Sequence, residues 1–115
     1  MADVDKRDDD RIPILGDLPG EIMVSEPMLI RDISHGGATI ETGFPLQLNS
    51  VHELRLNLAT TPLIVKGRVV HSKISDVDQD IVTYRSGLEF VEASIRVLDA
   101  IRDFLTTTKA DRSGV

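Results

Sequence analysis

The chain has 115 residues, 41% of them apolar, with a formal net charge of −6 and no cysteine. That length suits one domain with a modest core, and with only Phe44, Tyr84, Phe90 and Phe104 as aromatics the core must be mainly aliphatic. The acidic balance repels phosphate backbones and argues against nucleic-acid binding, the missing cysteines exclude disulfides and thiolate chemistry, and no apolar run is long enough to insert into a bilayer. An acidic N-terminus is the wrong start for a secretory signal, so the expectation is a soluble, cytoplasmic domain.

Residues 1–19 read as a flexible arm. Asp3, Asp5, Asp8, Asp9 and Asp10 are interleaved with Lys6, Arg7 and Arg11, and Pro13, Gly16, Pro19 and Gly20 then interrupt any regular element. From Glu21 the text changes. Ile22 to Val24 is a short strand, Ser25-Glu26-Pro27 a turn, and Met28 to Ile33 a second strand. Ser34 to Gly37 is a tight turn, where paired glycines permit positive φ or close backbone approach.

Ala38 to Thr42 alternates apolar and polar, as a strand with one buried face does. After a break at Gly43-Phe44-Pro45, Leu54-Arg55-Leu56-Asn57-Leu58 alternates again, with Val51 and His52 leading in. Leu63 to Ile74 is a long strand rich in β-branched residues, Ser75 to Asp80 a polar loop, and Ile81 to Val91 the last strand. Ser94 is a good N-cap, and Ile95, Leu98, Ile101, Phe104 and Leu105 recur at helical spacing, so 94–107 reads as an amphipathic helix. Residues 20–108 thus form one domain, and 109–115 a disordered tail. Six strands in hairpin order followed by one helix make a mainly β fold, a small antiparallel barrel with the helix packed on it.

Two patterns carry chemistry. Arg7 and Arg11 form Arg-x-x-x-Arg, and about twenty residues later Asp32-Ile33-Ser34-His35-Gly36-Gly37 forms Asp-x-Ser-x-x-Gly. Either alone is weak, because charged tails and Asx turns occur widely. Their order, gap and surrounding strands are more specific, and together they resemble the PilZ domain family, whose members bind cyclic di-GMP. Gly67-Arg68-Val69-Val70 and Gly87-Leu88-Glu89-Phe90 match that family's last two strands less specifically.

The resemblance implies a six-stranded barrel with a C-terminal helix. It also implies a ligand site made of Arg7, Arg11, Asp32, Ser34, Gly36 and Gly37. Guanine offers O6 and N7 to a guanidinium fork and N1–H and N2–H₂ to a carboxylate, while phosphates want arginines, hydroxyls or backbone N–H groups. Arg7 and Arg11 are expected to grip guanine edges and phosphates, often of an intercalated ligand dimer. Asp32 is expected on guanine, Ser34 near polar ligand atoms, and Gly37 closing the turn.

The arm would fold over the barrel on binding, and the new surface would engage an unidentified downstream effector protein. The alternative is a PilZ-like adaptor that binds a protein partner without cyclic di-GMP. No cofactor, metal site or enzyme activity is expected. Asp32, Ser34 and His35 diverge rather than form a triad, and no nucleophile elbow surrounds the serine. His52 and His71 read as packing or surface residues. Asp76-Val77-Asp78-Gln79-Asp80 opens like a calcium loop but has Ile81 where Gly is required and Gly87 where Glu is required.

Overall fold

Alternating aliphatic residues dictate strands that bury one face, and six such strands solve the problem of exposed edges by closing on themselves. The computed structural model describes residues 11–23, 26–58 and 62–113. Its elements are β1 (Ile12–Ile22), β2 (Glu26–Ile33), β3 (Gly37–Thr42), β4 (Val51–Leu56), β5 (Leu63–Asp78), β6 (Ile81–Val91) and α1 (Ile95–Ser113). All strand pairs are antiparallel, and the ring order is β1-β2-β3-β6-β5-β4, a closed barrel.

The interior is aliphatic. Ile22, Ile30, Ile33, Ile40, Leu54, Leu56, Val69 and Leu88 are fully enclosed, and Ile101 and Leu105 of α1 cover the same core. The helix begins where expected, with the Val97 N–H donating to Ser94 Oγ at 3.2 Å. Its buried stripe differs by one position. Ile95 is 77% exposed at the first turn, and Val97 packs against the core with Phe104.

β2 begins at Glu26, inside the expected turn, and β4 ends at Leu56 rather than Leu58; three other boundaries differ from the sequence reading by four residues or more. β1 begins at Ile12, so 12–19 is barrel strand rather than arm. Its prolines and glycine are tolerated because the register with β2 shifts between Pro13 and Leu18, and Gly16 takes φ +85° at the crest of that bulge. The helix runs on to Ser113, through residues assigned to the tail, since a threonine run costs an already nucleated helix only tenths of a kcal/mol per residue. Finally, β5 extends to Asp78, and Asp76↔Thr83, Val77↔Val82 and Asp78↔Ile81 pair where a loop was expected. The connection shrinks to Gln79-Asp80, with Gln79 at φ +60°. The acidic calcium-like run is therefore mostly hairpin strand, and no group of acidic or histidine side chains able to hold a metal occurs among the described residues.

Gly37 acts by close approach rather than by positive φ. A Cβ on Gly37 would overlap the Leu88 carbonyl oxygen and stand 3.1 Å from Glu89 Cα, both on the neighbouring strand. Gly37→Ala must push β3 off β6 and is expected to cost about 2–3 kcal/mol in urea unfolding. Gly43→Ala, where a Cβ meets nothing within 4 Å, is the control, expected to stay within about 0.5 kcal/mol of the parent.

Candidate functional site

Barrel closure brings Arg11, the last residue of the first motif, beside Asp32, the first of the second. Arg11 stands immediately before β1, whose first residues pair with the end of β2 through Ile12↔Ile33 and Pro13↔Asp32. Arg11 Nη1 donates to Asp32 Oδ1 at 3.0 Å, an ion pair across 21 residues of sequence. Both side chains are about one-third exposed, 35% and 27%, so the pair sits on an open face and not in a cavity. A pair this accessible contributes little to stability and leaves both groups within reach of a ligand. Arg7 lies outside the described residues.

Ser34 and the glycines have another job. The Ser34 hydroxyl is enclosed, accepting from the Gly36 N–H at 3.3 Å and facing the Gly37 carbonyl at 3.4 Å, while the Ser34 N–H donates to that carbonyl at 2.9 Å. The Gly36 carbonyl accepts from the Phe90 N–H at 2.8 Å. The Gly36 N–H and the serine hydroxyl are thus spent inside the turn, which holds Asp32 and the start of β3 in fixed relation. His35 is exposed, and the hydroxyl beside it is committed to the turn.

A second charged cluster adjoins the first and was not read from the sequence. Glu41 on β3 lies opposite Arg85 on β6. Its Oε2 accepts from Arg85 Nε at 3.1 Å and from Arg85 Nη2, and its Oε1 meets Arg31 Nη2 at 2.9 Å. Arg31 also reaches the Gly16 carbonyl at 3.3 Å and Asp17 at 3.5 Å, tying the β1 bulge to the cluster, and its Nε is buried with no partner. Burial of Glu41 raises its pKa, but the hydrogen bonds and charges of Arg85 and Arg31 outweigh that and hold it below the ordinary carboxylate value. Arg31, Glu41 and Arg85 are far apart in sequence, so only cross-strand pairing could reveal them. His52, on β4 across the ring, hydrogen-bonds Ser50 at 2.7 Å, and burial lowers its pKa.

The architecture is thus a small six-stranded barrel with a C-terminal helix, carrying a solvent-accessible arginine–carboxylate pair at one rim. The sequence profile of the PilZ domain matches residues 5–107, and the chain belongs to that family. A comparison with curated proteins finds no match. Among solved structures, the PilZ domain of YcgR from Escherichia coli with c-di-GMP matches at TM-score 0.67 and 16% identity, covering 90% of this chain and 92% of that one. MrkH of K. pneumonia in its apo state matches at 0.68 and 20%, and the Bacillus subtilis inhibitor of motility MotI at 0.69 and 18%. These two alignments cover 90% and 88% of this chain but 52% and 49% of theirs, so it spans about half their length. At such identities the likeness is one of fold.

The depressed pKa of Glu41 has a pH signature. A carboxylate whose folded pKa is lowered stabilises the fold above its unfolded pKa, and that stability is lost as pH falls through the folded value. Glu41→Gln is therefore expected to cost about 1–2 kcal/mol at pH 7 and progressively less below pH ~4.5, measured by urea unfolding across pH. A cost that stays constant down to pH 3 would show that packing, not charge, holds the cluster.

Proposed function

We propose that this protein is a cyclic di-GMP receptor that passes the signal on by protein contact. The observation that supports the reading is the 3.0 Å approach of Arg11 to Asp32, one residue from each motif, on an accessible face. Arg11 and Asp32 neutralise each other across their ion pair. A guanine dinucleotide supplies better partners to both. Its O6 and N7 or its phosphate take the guanidinium fork of Arg11, and its N1–H and N2–H₂ donate to Asp32. Arg7, one helical turn's worth of sequence earlier, joins on the phosphate or the second guanine. Ser34, Gly36 and Gly37 contribute by holding the turn that aims Asp32.

The output follows from where Arg11 is attached. It leads directly into Pro13, Ile14 and Leu15, which with Leu18, Phe104 and Thr108 line a groove between the β1 bulge and α1. Leu15 is 77% exposed on its rim. Moving Arg11 from Asp32 to a ligand pulls on this strand and reshapes the groove, which is the surface offered to an effector.

Calorimetric titration of cyclic di-GMP tests the reading. Micromolar or tighter binding is expected, weakened roughly hundredfold or more in an Arg7→Ala/Arg11→Ala variant. No heat with the parent, and no change in its melting temperature, would sink the receptor reading in favour of an adaptor that binds protein without nucleotide. Asp8, Asp9 and Asp10 lie between the arginines, and each opposes a nearby phosphate by about 1 kcal/mol at ~4 Å in water. Changing all three to Asn is expected to tighten binding by roughly tenfold at low salt and much less at 0.5 M salt.

A further inference from the structure

β5 is longer than the ring can cover. β4 pairs with it only from Leu63 to Arg68, and the Val69 carbonyl and N–H then bond Asn49 and Ser50 at 2.8 and 2.9 Å. From Val70 to Asp78 the side of β5 turned away from β6 meets no hydrogen-bonding partner among the described residues. Alternate residues of a strand aim their N–H and C=O to each side, so this stretch presents a row of unmet donors and acceptors. Its apolar side chains are open as well, Ile74 at 57% and Val77 at 60% exposed.

The charges along this edge are ordered. The ladder with β6 runs His71↔Gly87, Ser72↔Ser86, Lys73↔Arg85 and Ile74↔Tyr84. It then shifts by one residue and continues Asp76↔Thr83, Val77↔Val82 and Asp78↔Ile81. Ser86 is buried, so Ser72, Ile74 and Val77 share the face that continues the barrel interior. His71, Lys73, Asp76 and Asp78 share the outer face. The bulge at Ser75 brings this about, since Lys73 and Asp76 would face opposite ways on a regular strand. One half of the outer face is basic and the other half is acidic.

We infer that this edge pairs with the same edge of a second copy of the chain, antiparallel, about a two-fold axis at Ile74. Any extended strand could satisfy the backbone, but this order of charge is complementary to itself read backwards, which selects a second copy. In that register Ile74 meets Ile74 of the second copy, and Lys73 lies opposite Asp76. His71 lies opposite Asp78, and Ser72 opposite Val77. A shift of one ladder position either way would set Lys73 against Lys73 or Asp76 against Asp76. Ile74 is also the midpoint of the open stretch from Val70 to Asp78, so the pairing uses its full length and stops where Asn49 and Ser50 cover Val69. An interface of one strand edge is small, and its Kd is expected at about 10–100 µM. It uses neither Arg11 nor Asp32 and does not rest on the receptor reading.

Sedimentation equilibrium of the full chain without nucleotide, from about 5 µM to about 1 mM, is expected to show monomer passing to dimer. Lys73→Asp should weaken the dimer roughly tenfold or more, and Lys73→Asp/Asp76→Lys should restore it by exchanging the two charges. Both positions are exposed, so the melting temperatures are expected to stay within a degree or two of the parent. The chain has no cysteine, so Ile74→Cys places a single thiol on the axis, where opposed Cα atoms stand about 4.5–5.5 Å apart, within disulfide reach. Air oxidation should crosslink that variant much faster than Ile81→Cys, whose position on β6 is 70% exposed but off the edge. A parent that stays monomeric at the highest concentration would overturn the inference. So would a dimer indifferent to Lys73→Asp, a double variant as weak as Lys73→Asp alone, or equal crosslinking of the two cysteine variants.

Discussion

Where β3 crosses to β6, two strands separated by almost forty residues of chain must lie against each other to close the ring, and there is no room between them for a side chain at Gly37. That contact governs the rest. It seats the Ser34–Gly37 turn through the Phe90 N–H and the Gly36 carbonyl, and so orients Asp32 at the end of β2. It also lines up Thr39 with Gly87 and Glu41 with Arg85. A shift of one residue in this register would send each of those side chains to the other face of the sheet.

Ring closure also explains how an acidic chain gathers several arginines on one stretch of its surface. The charges are not neutral on average, yet the strands carrying Arg31, Arg85 and Lys73 are brought side by side, and Arg11 is set beside Asp32 at the neighbouring rim. Each of these arginines is held by a carboxylate. Those pairs keep the guanidinium groups extended and in place while leaving part of each exposed, 35% for Arg11 and 42% for Arg85. The more exposed pair, Arg11 with Asp32, adds little to folding stability, whereas Glu41, only 11% exposed, is the anchor of the Arg31 and Arg85 cluster.

Much of this was legible beforehand. Alternation in Ala38–Thr42 and Leu54–Leu58, the β-branched run from Leu63 and the 3.6-residue spacing after Ser94 each announce an element, because burial of one face leaves its period in the sequence. The pairing of Arg-x-x-x-Arg with Asp-x-Ser-x-x-Gly pointed to the family and to Arg11 and Asp32, which do meet. The reading failed where local signals for breaking structure were overruled by tertiary pairing. Pro13, Gly16 and Pro19 sit in a strand because β2 holds both sides of their bulge, and Ser75–Asp78 is strand because β6 runs beside it. Ser34 illustrates a different limit. Its motif position was clear, but only the fold shows that its hydroxyl is enclosed by the turn it stabilises.

The sequence by itself determined the class of fold, the aliphatic core, the family and the two motifs, because periodicity and short-range spacing are properties of neighbouring residues. Tertiary structure decided which residues share a face. Arg31 with Glu41 and Arg85, and Asp32 with Thr39, Gly87 and His71, come together only through the order of strands around a closed ring. The physical reason is that hydrogen bonding between strands is set by backbone register, and register is fixed by how the whole core packs rather than by any one segment.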